Sequence, residues 1–220
     1  MSIKYSEQSR IFRDFRSIPY SDFYYLIRFY EQYYQEIDYL PFDEGLIMSY
    51  YYANALFETK EYDSCITIAN HILEQSIIHN IRYIDGEDVY MTILYRKSVA
   101  HLKLGEIDTA KRFATQLVRL EPNNYSYQFL LRQCFLEVRP TWIRPTLTIS
   151  AVATLMGAIT TIVFSSLYLY LPEEAIIMPY SLLFLATVGL TATAIGYYYY
   201  IMAPTQKVIT KAKIDKEQNQ

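Results

Sequence analysis

Two long stretches of the chain contain no Asp, Glu, Lys or Arg: Thr146–Leu171 (26 residues) and Ala175–Ala203 (29 residues). All charged residues of the 220-residue chain therefore crowd into the remainder, which has the charge density of an ordinary globular domain. Glycine is nearly as scarce. The six glycines form no GxGxxG, no phosphate-cradling loop and no GxSxG elbow, so nucleotide binding and serine hydrolysis lack their usual motifs. The two cysteines, Cys65 and Cys134, are too few for a disulfide scaffold. Three histidines, His71, His79 and His101, stand at neither HExxH nor CxxC-type spacing, so no zinc site, and no other cofactor, is expected. A net charge of −3 provides no basic field for nucleic acid. The first residues hold no apolar run that could act as a secretory leader, and Glu7 and Asp14 interrupt the arginines a transit peptide would need. These scarcities point away from an enzyme.

The charge-free stretches are themselves a signal. A helix needs about 20 apolar residues to cross the hydrocarbon core of a bilayer, and spans over 146–171 and 179–203 satisfy that. Between them Pro172–Pro179 carries Glu173 and Glu174 and no basic residue. Arg132, Arg139 and Arg144 precede the first span, and Lys207, Lys211, Lys213 and Lys216 follow the second. That bias predicts a hairpin with both termini cytoplasmic, ending in a basic tail over 204–220. Trp142 and Tyr197–Tyr200 would form interfacial belts. Ala153 and Gly157 in one span, and Gly189, Ala192 and Gly196 in the other, are the small residues expected where the helices touch. No ionisable group interrupts either span, so the hairpin reads as an anchor rather than a transport path.

Residues 1–140 read as helices only, making the chain all-α. Prolines 19, 41, 122, 140, 145, 172, 179 and 204 fall where helices should begin or end. An apolar stripe predicts a helix over Asp22–Tyr39, and Asp43 is placed to cap a helix over Glu44–Thr59. Further helices follow over Tyr62–Ile78, Asp88–Lys103, Ile107–Leu120 and Asn124–Glu137, with a loop at IRYIDGED around Gly86. The segment Tyr51–Leu73 superimposes on Arg96–Val118 at an offset of 45 residues. In the second copy Ser98, Gly105, Ala110 and Pro122 supply small–turn–small–proline punctuation, with Leu102, Ile107, Phe113, Ala114 and Leu117 between. In the first copy Ala53, Cys65 and Ala69 take small positions, Tyr62 an aromatic one, and Lys60 stands in the place of the glycine. About 11 additional residues separate the copies.

On these residues the chain resembles the tetratricopeptide repeat family, with units at about 45–78 and 88–122, a covering helix at 124–137, and an N-terminal cap. The resemblance implies a concave groove, lined by the first helix of each unit, that takes a peptide or helix of a protein partner. It would place Tyr50, Asn54, Phe57 and Glu58 of the first unit in that groove, with Tyr95, Val99, Leu102 and Lys103 of the second. The family's clamp for a terminal carboxylate is not reproduced, since Tyr50 and Thr92 stand where lysines would be. Ten of the 24 tyrosines fall within Tyr20–Tyr52, which fits either core packing or an aromatic contact surface. The expected function is that of a membrane-anchored adaptor or scaffold, and the alternative is an accessory subunit whose hairpin packs among other spans. The expected location is a bacterial inner membrane. The order of domains is also similar to that of eukaryotic mitochondrial fission adaptors, which carry one span, so a mitochondrial membrane is the alternative.

Overall fold

A computed structural model describes residues 9–138, 143–166 and 173–218; for 143–144, 146–147, 164–165, 173–183 and 185 the backbone alone is described. The described chain is almost entirely helical. Helices α1 (Arg10–Arg16), α2 (Phe23–Gln32), α3 (Tyr34–Ile37), α4 (Phe42–Glu58) and α5 (Tyr62–Ile78) lead to a two-stranded hairpin, β1 (Tyr83–Ile84) and β2 (Glu87–Asp88). Helices α6 (Val89–Lys103), α7 (Ile107–Leu120) and α8 (Tyr125–Val138) follow. Then come α9 (Ile143–Ser166), α10 (Glu173–Tyr197), a π-helical turn over Tyr198–Met202, and α11 (Ala203–Gln218). The chain divides into two compact units, residues 1–134 with 212–220, and residues 135–211.

In the first unit the 45-residue offset reappears as backbone geometry. Helix α4 packs on α5, and α6 on both α5 and α7. At the end of α4 the amides of Thr59, Lys60 and Glu61 bond to the carbonyls of Ala55, Phe57 and Leu56. At the end of α6 Leu104, Gly105 and Glu106 bond to Ala100, Leu102 and His101. The turn requires one left-handed residue, Gly105 at φ 82° in the second copy and Lys60 at φ 68° in the first. Lys60 thus adopts the glycine conformation despite its Cβ. The helices of each pair then meet at small side chains with reversed roles. Cys65 Sγ on α5 donates to the Ala53 carbonyl of α4 (3.6 Å), whereas Ser98 Oγ on α6 donates to the Ala110 carbonyl of α7 (2.9 Å). All four residues are buried.

Several boundaries differ from the sequence reading. The helix expected over Asp22–Tyr39 breaks at Tyr33, leaving α2 and α3, although Asp22 does cap α2 by accepting from the Tyr25 amide. Helix α4 starts at Phe42 behind Pro41, whose backbone takes the N-cap position, so Asp43 lies inside the first turn. The expected loop is a β-hairpin: Asp85 and Gly86 both have positive φ (49° and 87°), the pairing a two-residue turn demands. Helix α1, absent from the sequence reading, is capped by Ser9 and buries Phe12 and Phe15 completely.

In the second unit α9 and α10 pack along each other. Ser150 Oγ lies 3.5 Å from Thr193 Oγ1, and Thr154 Oγ1 reaches the Ala186 carbonyl at 3.4 Å, so the pair runs antiparallel. Gly157 is buried and a Cβ on Gly189 would sit 3.9 Å from Ser150, as expected of packing residues; Ala153 is half-buried. Two expectations fail. Ala192 is exposed because Ala186, Gly189 and Thr193 form the inner stripe, and a Cβ on Gly196 would meet nothing within 4 Å. The prolines also behave differently than predicted. Helix α10 begins at Glu173, so Pro179 lies within it rather than ahead of it. Pro204 follows a widened turn, which accommodates a residue that cannot donate and whose ring would crowd the preceding turn. The basic tail is helical as α11. Among the described residues no helix is long and apolar enough to cross a membrane.

The two turn residues allow a paired test. Gly105→Ala should lower stability by about 1 kcal/mol, because an added Cβ meets no atom within 4 Å and the cost is backbone conformation alone. Lys60→Gly should raise stability by up to about 1 kcal/mol. Urea unfolding followed by far-ultraviolet circular dichroism in a maltoside detergent reads both.

Candidate functional site

The groove residues expected from the repeat divide into a closed half and an open half. Tyr50 is 2% exposed and cannot line an open groove. Its hydroxyl donates to the Glu87 carboxylate, with the Asn54 amide and Thr92 hydroxyl as further neighbours. Next to it Tyr51 donates to Asp85 Oδ2 at 2.5 Å, and the Arg16 guanidinium donates to the same oxygen at 2.5 Å. Tyr20 stacks on Tyr51 with ring centroids 4.5 Å apart. The residues separating the two repeats have therefore folded into a hairpin whose acids hold two tyrosines of α4, and α1 is tied to the same point. Asn54 is half-buried: its side chain hydrogen-bonds Tyr50, while its Oδ1 is buried with no hydrogen-bond partner among the described residues.

The open half lies further along the same helices. Phe57 and Glu58 on α4 meet α6 through Arg96, whose guanidinium sits 5.0 Å above the Phe57 ring and bonds Glu58 Oε1 at 2.9 Å. Tyr95 on α6 meets Tyr127 on α8 with centroids 5.8 Å apart. Val99 and Leu102 are half-buried and Lys103 is exposed. Together these side chains make a shallow surface, aromatic and aliphatic in the middle with Glu58 and Lys103 as charges. Arg96 and Tyr127 were not foreseen. Arg96 stands at the repeat equivalent of Tyr51, so only the pairing of Glu58 with a neighbouring helix could have indicated it.

A second concavity had no counterpart in the sequence reading. A groove of about 690 Å³ lies among α2, α3, α4 and α5. Tyr30, Tyr34 and Tyr52 form its aromatic wall, Leu46 and Ile68 add apolar surface, and Glu31, Asp38 and His71 add polar groups. Tyr30 and Tyr52 stack nearly parallel with centroids 4.0 Å apart, and Tyr34 meets Tyr30 edge-on at 6.3 Å. Tyr52 donates to Glu31 Oε1 at 3.2 Å, and the Tyr30 hydroxyl shares a hydrogen bond with Ser49 Oγ at 3.0 Å. Burial raises the pKa of both phenols, and the Glu31 carboxylate raises that of Tyr52 further, so both remain protonated donors at neutral pH.

Other reactive side chains are held locally. Burial pushes each cysteine thiol up to about 11, away from nucleophilic range. His101 Nδ1 pairs with Glu106 Oε2 at 2.6 Å while its ring lies against Phe113. Lys97 is 9% exposed, with its amine 4.1 Å from the centroid of the Phe113 ring, and burial together with nearby Arg112 lowers its pKa. Among the described residues no group of three or more His, Cys, Asp or Glu side chains is placed to hold a metal ion.

The closed half has a pH signature. Burial first, then the Glu87 hydrogen bond, pushes Tyr50 up to about 12 from an ordinary value of 10. An unfolded chain releases that proton near pH 10 and the folded chain near 12, so this contribution to stability is intact below pH 10 and falls as pH rises towards 12. Tyr50→Phe should lessen the loss of stability across pH 10–12 by one phenol's share, measured by urea midpoints at each pH, while the other buried phenols, Tyr30, Tyr51, Tyr52 and Tyr127, keep theirs. No protein-family model matches the chain, and neither a curated protein nor a solved structure is similar to it.

Proposed function

We propose that this protein is a membrane-anchored interaction adaptor of tetratricopeptide type, whose open half-groove binds a segment of a protein partner. The observation that carries the reading is the doubled helix pair. Its turns, left-handed residues and small-residue contacts recur at one offset of 45 residues. Stacked pairs of this kind leave the faces of their first helices in line, and here those faces carry Phe57, Tyr95, Val99 and Leu102 beside Glu58, Arg96 and Lys103. Aromatic and arginine side chains amid aliphatic surface are the composition of interface hot spots. A terminal carboxylate is not the favoured target, because Tyr50 and Thr92 stand where the clamp's lysines would be.

The anchor is proposed to be the α9–α10 hairpin. Its support is the pair of charge-free stretches together with the outward apolar surface. Ile149, Val152, Leu155, Met156, Ile159 and Ile162 of α9 are all exposed, as are Phe184, Val188 and Ile195 of α10. An apolar surface of that extent on two adjacent helices has hydrocarbon as its natural solvent. The hydroxyls of Thr154 and Thr161 bond to carbonyls of their own helix, which satisfies them in lipid. The basic flanks favour both termini on the cytoplasmic side, and the membrane proposed is a bacterial inner membrane. An accessory-subunit role for the hairpin is the second reading, since its outward surface would equally suit neighbouring spans.

Two experiments test this. Alkaline carbonate washing should leave the full chain in the membrane pellet, and release into the supernatant would remove the anchor. A photo-crosslinking residue at Leu102 should give one dominant adduct in native membranes. Phe57→Ala combined with Leu102→Ala should reduce that partner's recovery at least about tenfold. Unchanged recovery would count against the groove, and adducts arising only from hairpin positions would favour the subunit reading.

A further inference from the structure

The groove among α2, α3, α4 and α5 differs from the α4–α6 surface in its charge. Its charged lining residues are Glu31 and Asp38, and among the described residues neither Lys nor Arg lines it. The bias extends well beyond the lining. Between Arg28 and Arg82 the only basic residue other than histidine is Lys60, against nine acids: Glu31, Glu36, Asp38, Asp43, Glu44, Glu58, Glu61, Asp63 and Glu74. A stretch with a formal balance of −8 thus supplies every residue that lines the cavity and its three tyrosines. Rings present a negative face to a cation, and carboxylates beside them raise the local concentration of positive charge.

The size and shape of the charge pattern select among cations. A volume of about 690 Å³ exceeds what one ammonium head would fill. The two carboxylates belong to different helices, Glu31 to α2 and Asp38 to the end of α3, with Tyr34 exposed on α3 between them in sequence. Apolar surface from Leu46 and Ile68 lies in the same groove. We propose that this groove binds a basic peptide segment, with lysine or arginine side chains over the tyrosines and at the two carboxylates and an apolar residue against Leu46 and Ile68. The inference deepens the adaptor reading and rests on it: the partner would carry a basic, partly apolar stretch and would meet the chain at two places.

The test uses the full chain in a maltoside detergent, which contains no quaternary ammonium head. The probes are a fluorescent eight-residue peptide alternating lysine or arginine with leucine, and its glutamate counterpart, titrated by anisotropy. The basic peptide should bind and the acidic one should not. Glu31→Gln and Asp38→Asn should each weaken binding about fivefold to tenfold, and Tyr34→Ala about threefold. Glu74→Gln, in the same acidic stretch but outside the lining, should leave binding unchanged, with circular dichroism confirming that each variant is folded. An equal loss with Glu74→Gln would mean a diffuse field rather than a site, and would overturn the proposal. So would absence of binding, or tetramethylammonium binding that depends on Tyr34 and matches the peptide in strength. Crosslinking at Leu102 on the same preparation separates the two levels: a retained adduct without peptide binding removes the basic-peptide site and leaves the adaptor, whereas loss of both removes the adaptor as well.

Discussion

The close approach of paired helices at Ala53 with Cys65 and at Ser98 with Ala110 is the constraint on which the repeat domain depends. A bulky side chain at any of these positions would separate the helices and remove the sulfur or hydroxyl hydrogen bond that crosses between them. The approach also fixes what precedes it, because the chain must reverse within a few residues. It does so only with a left-handed residue at the turn, which is why Lys60 accepts an unfavourable backbone conformation where Gly105 has none to accept. Once the pairs are set, the faces of α4 and α6 come into line and the rest of the domain is arranged around them.

The residues between the two helix pairs change which side chains of that face stay open. The resemblance drawn from the sequence implied that Tyr50 and Asn54 would face a groove. Here the β1–β2 hairpin supplies Glu87 and Asp85 to Tyr50 and Tyr51, and Arg16 brings α1 to the same aspartate. Each contact joins segments more than 30 residues apart, so the three together tie the N-terminal helix, the first repeat and the connection to the second into one body. The surface left open is shorter and lies towards α6 and α8. The excluded half is replaced, on another side of α4, by a groove whose walls come from α2, α3 and α5.

Much of the helical order was legible in the sequence because it rests on local chemistry. The small residues, Gly105 and Pro122 located the second pair, and the offset of 45 carried the pattern to the first pair despite Lys60. Local signals failed where tertiary contacts decide. A continuous apolar stripe from Phe23 to Ile37 does not reveal a break at Tyr33, and Asp85-Gly86 reads as a loop until its flanks find partners on α4 and α1. The burial of Tyr50 could not be read from spacing, since it depends on a hairpin that the repeat pattern does not contain. In the α9–α10 pair Ala192 and Gly196 do not pack as expected, and the choice between Ala192 and Thr193 turns on helix phase by one residue. The acidic aromatic groove was missed because its walls come from four helices, although the scarcity of lysine and arginine between Arg28 and Arg82 was present in the sequence throughout.

The reversed small-residue pair has a consequence for the chemistry of oxidation. The domain uses sulfur on the second helix of one pair, at Cys65, and oxygen on the first helix of the other, at Ser98. A thiol whose pKa lies near 11 is ionised at neutral pH in only about one molecule in ten thousand. Peroxide reacts with the thiolate, so the packing that brings α4 and α5 together also slows the reaction that would add oxygen atoms between them. The vulnerable moment is the unfolded chain, before that contact exists, and damage there would be carried forward as a first repeat unable to close.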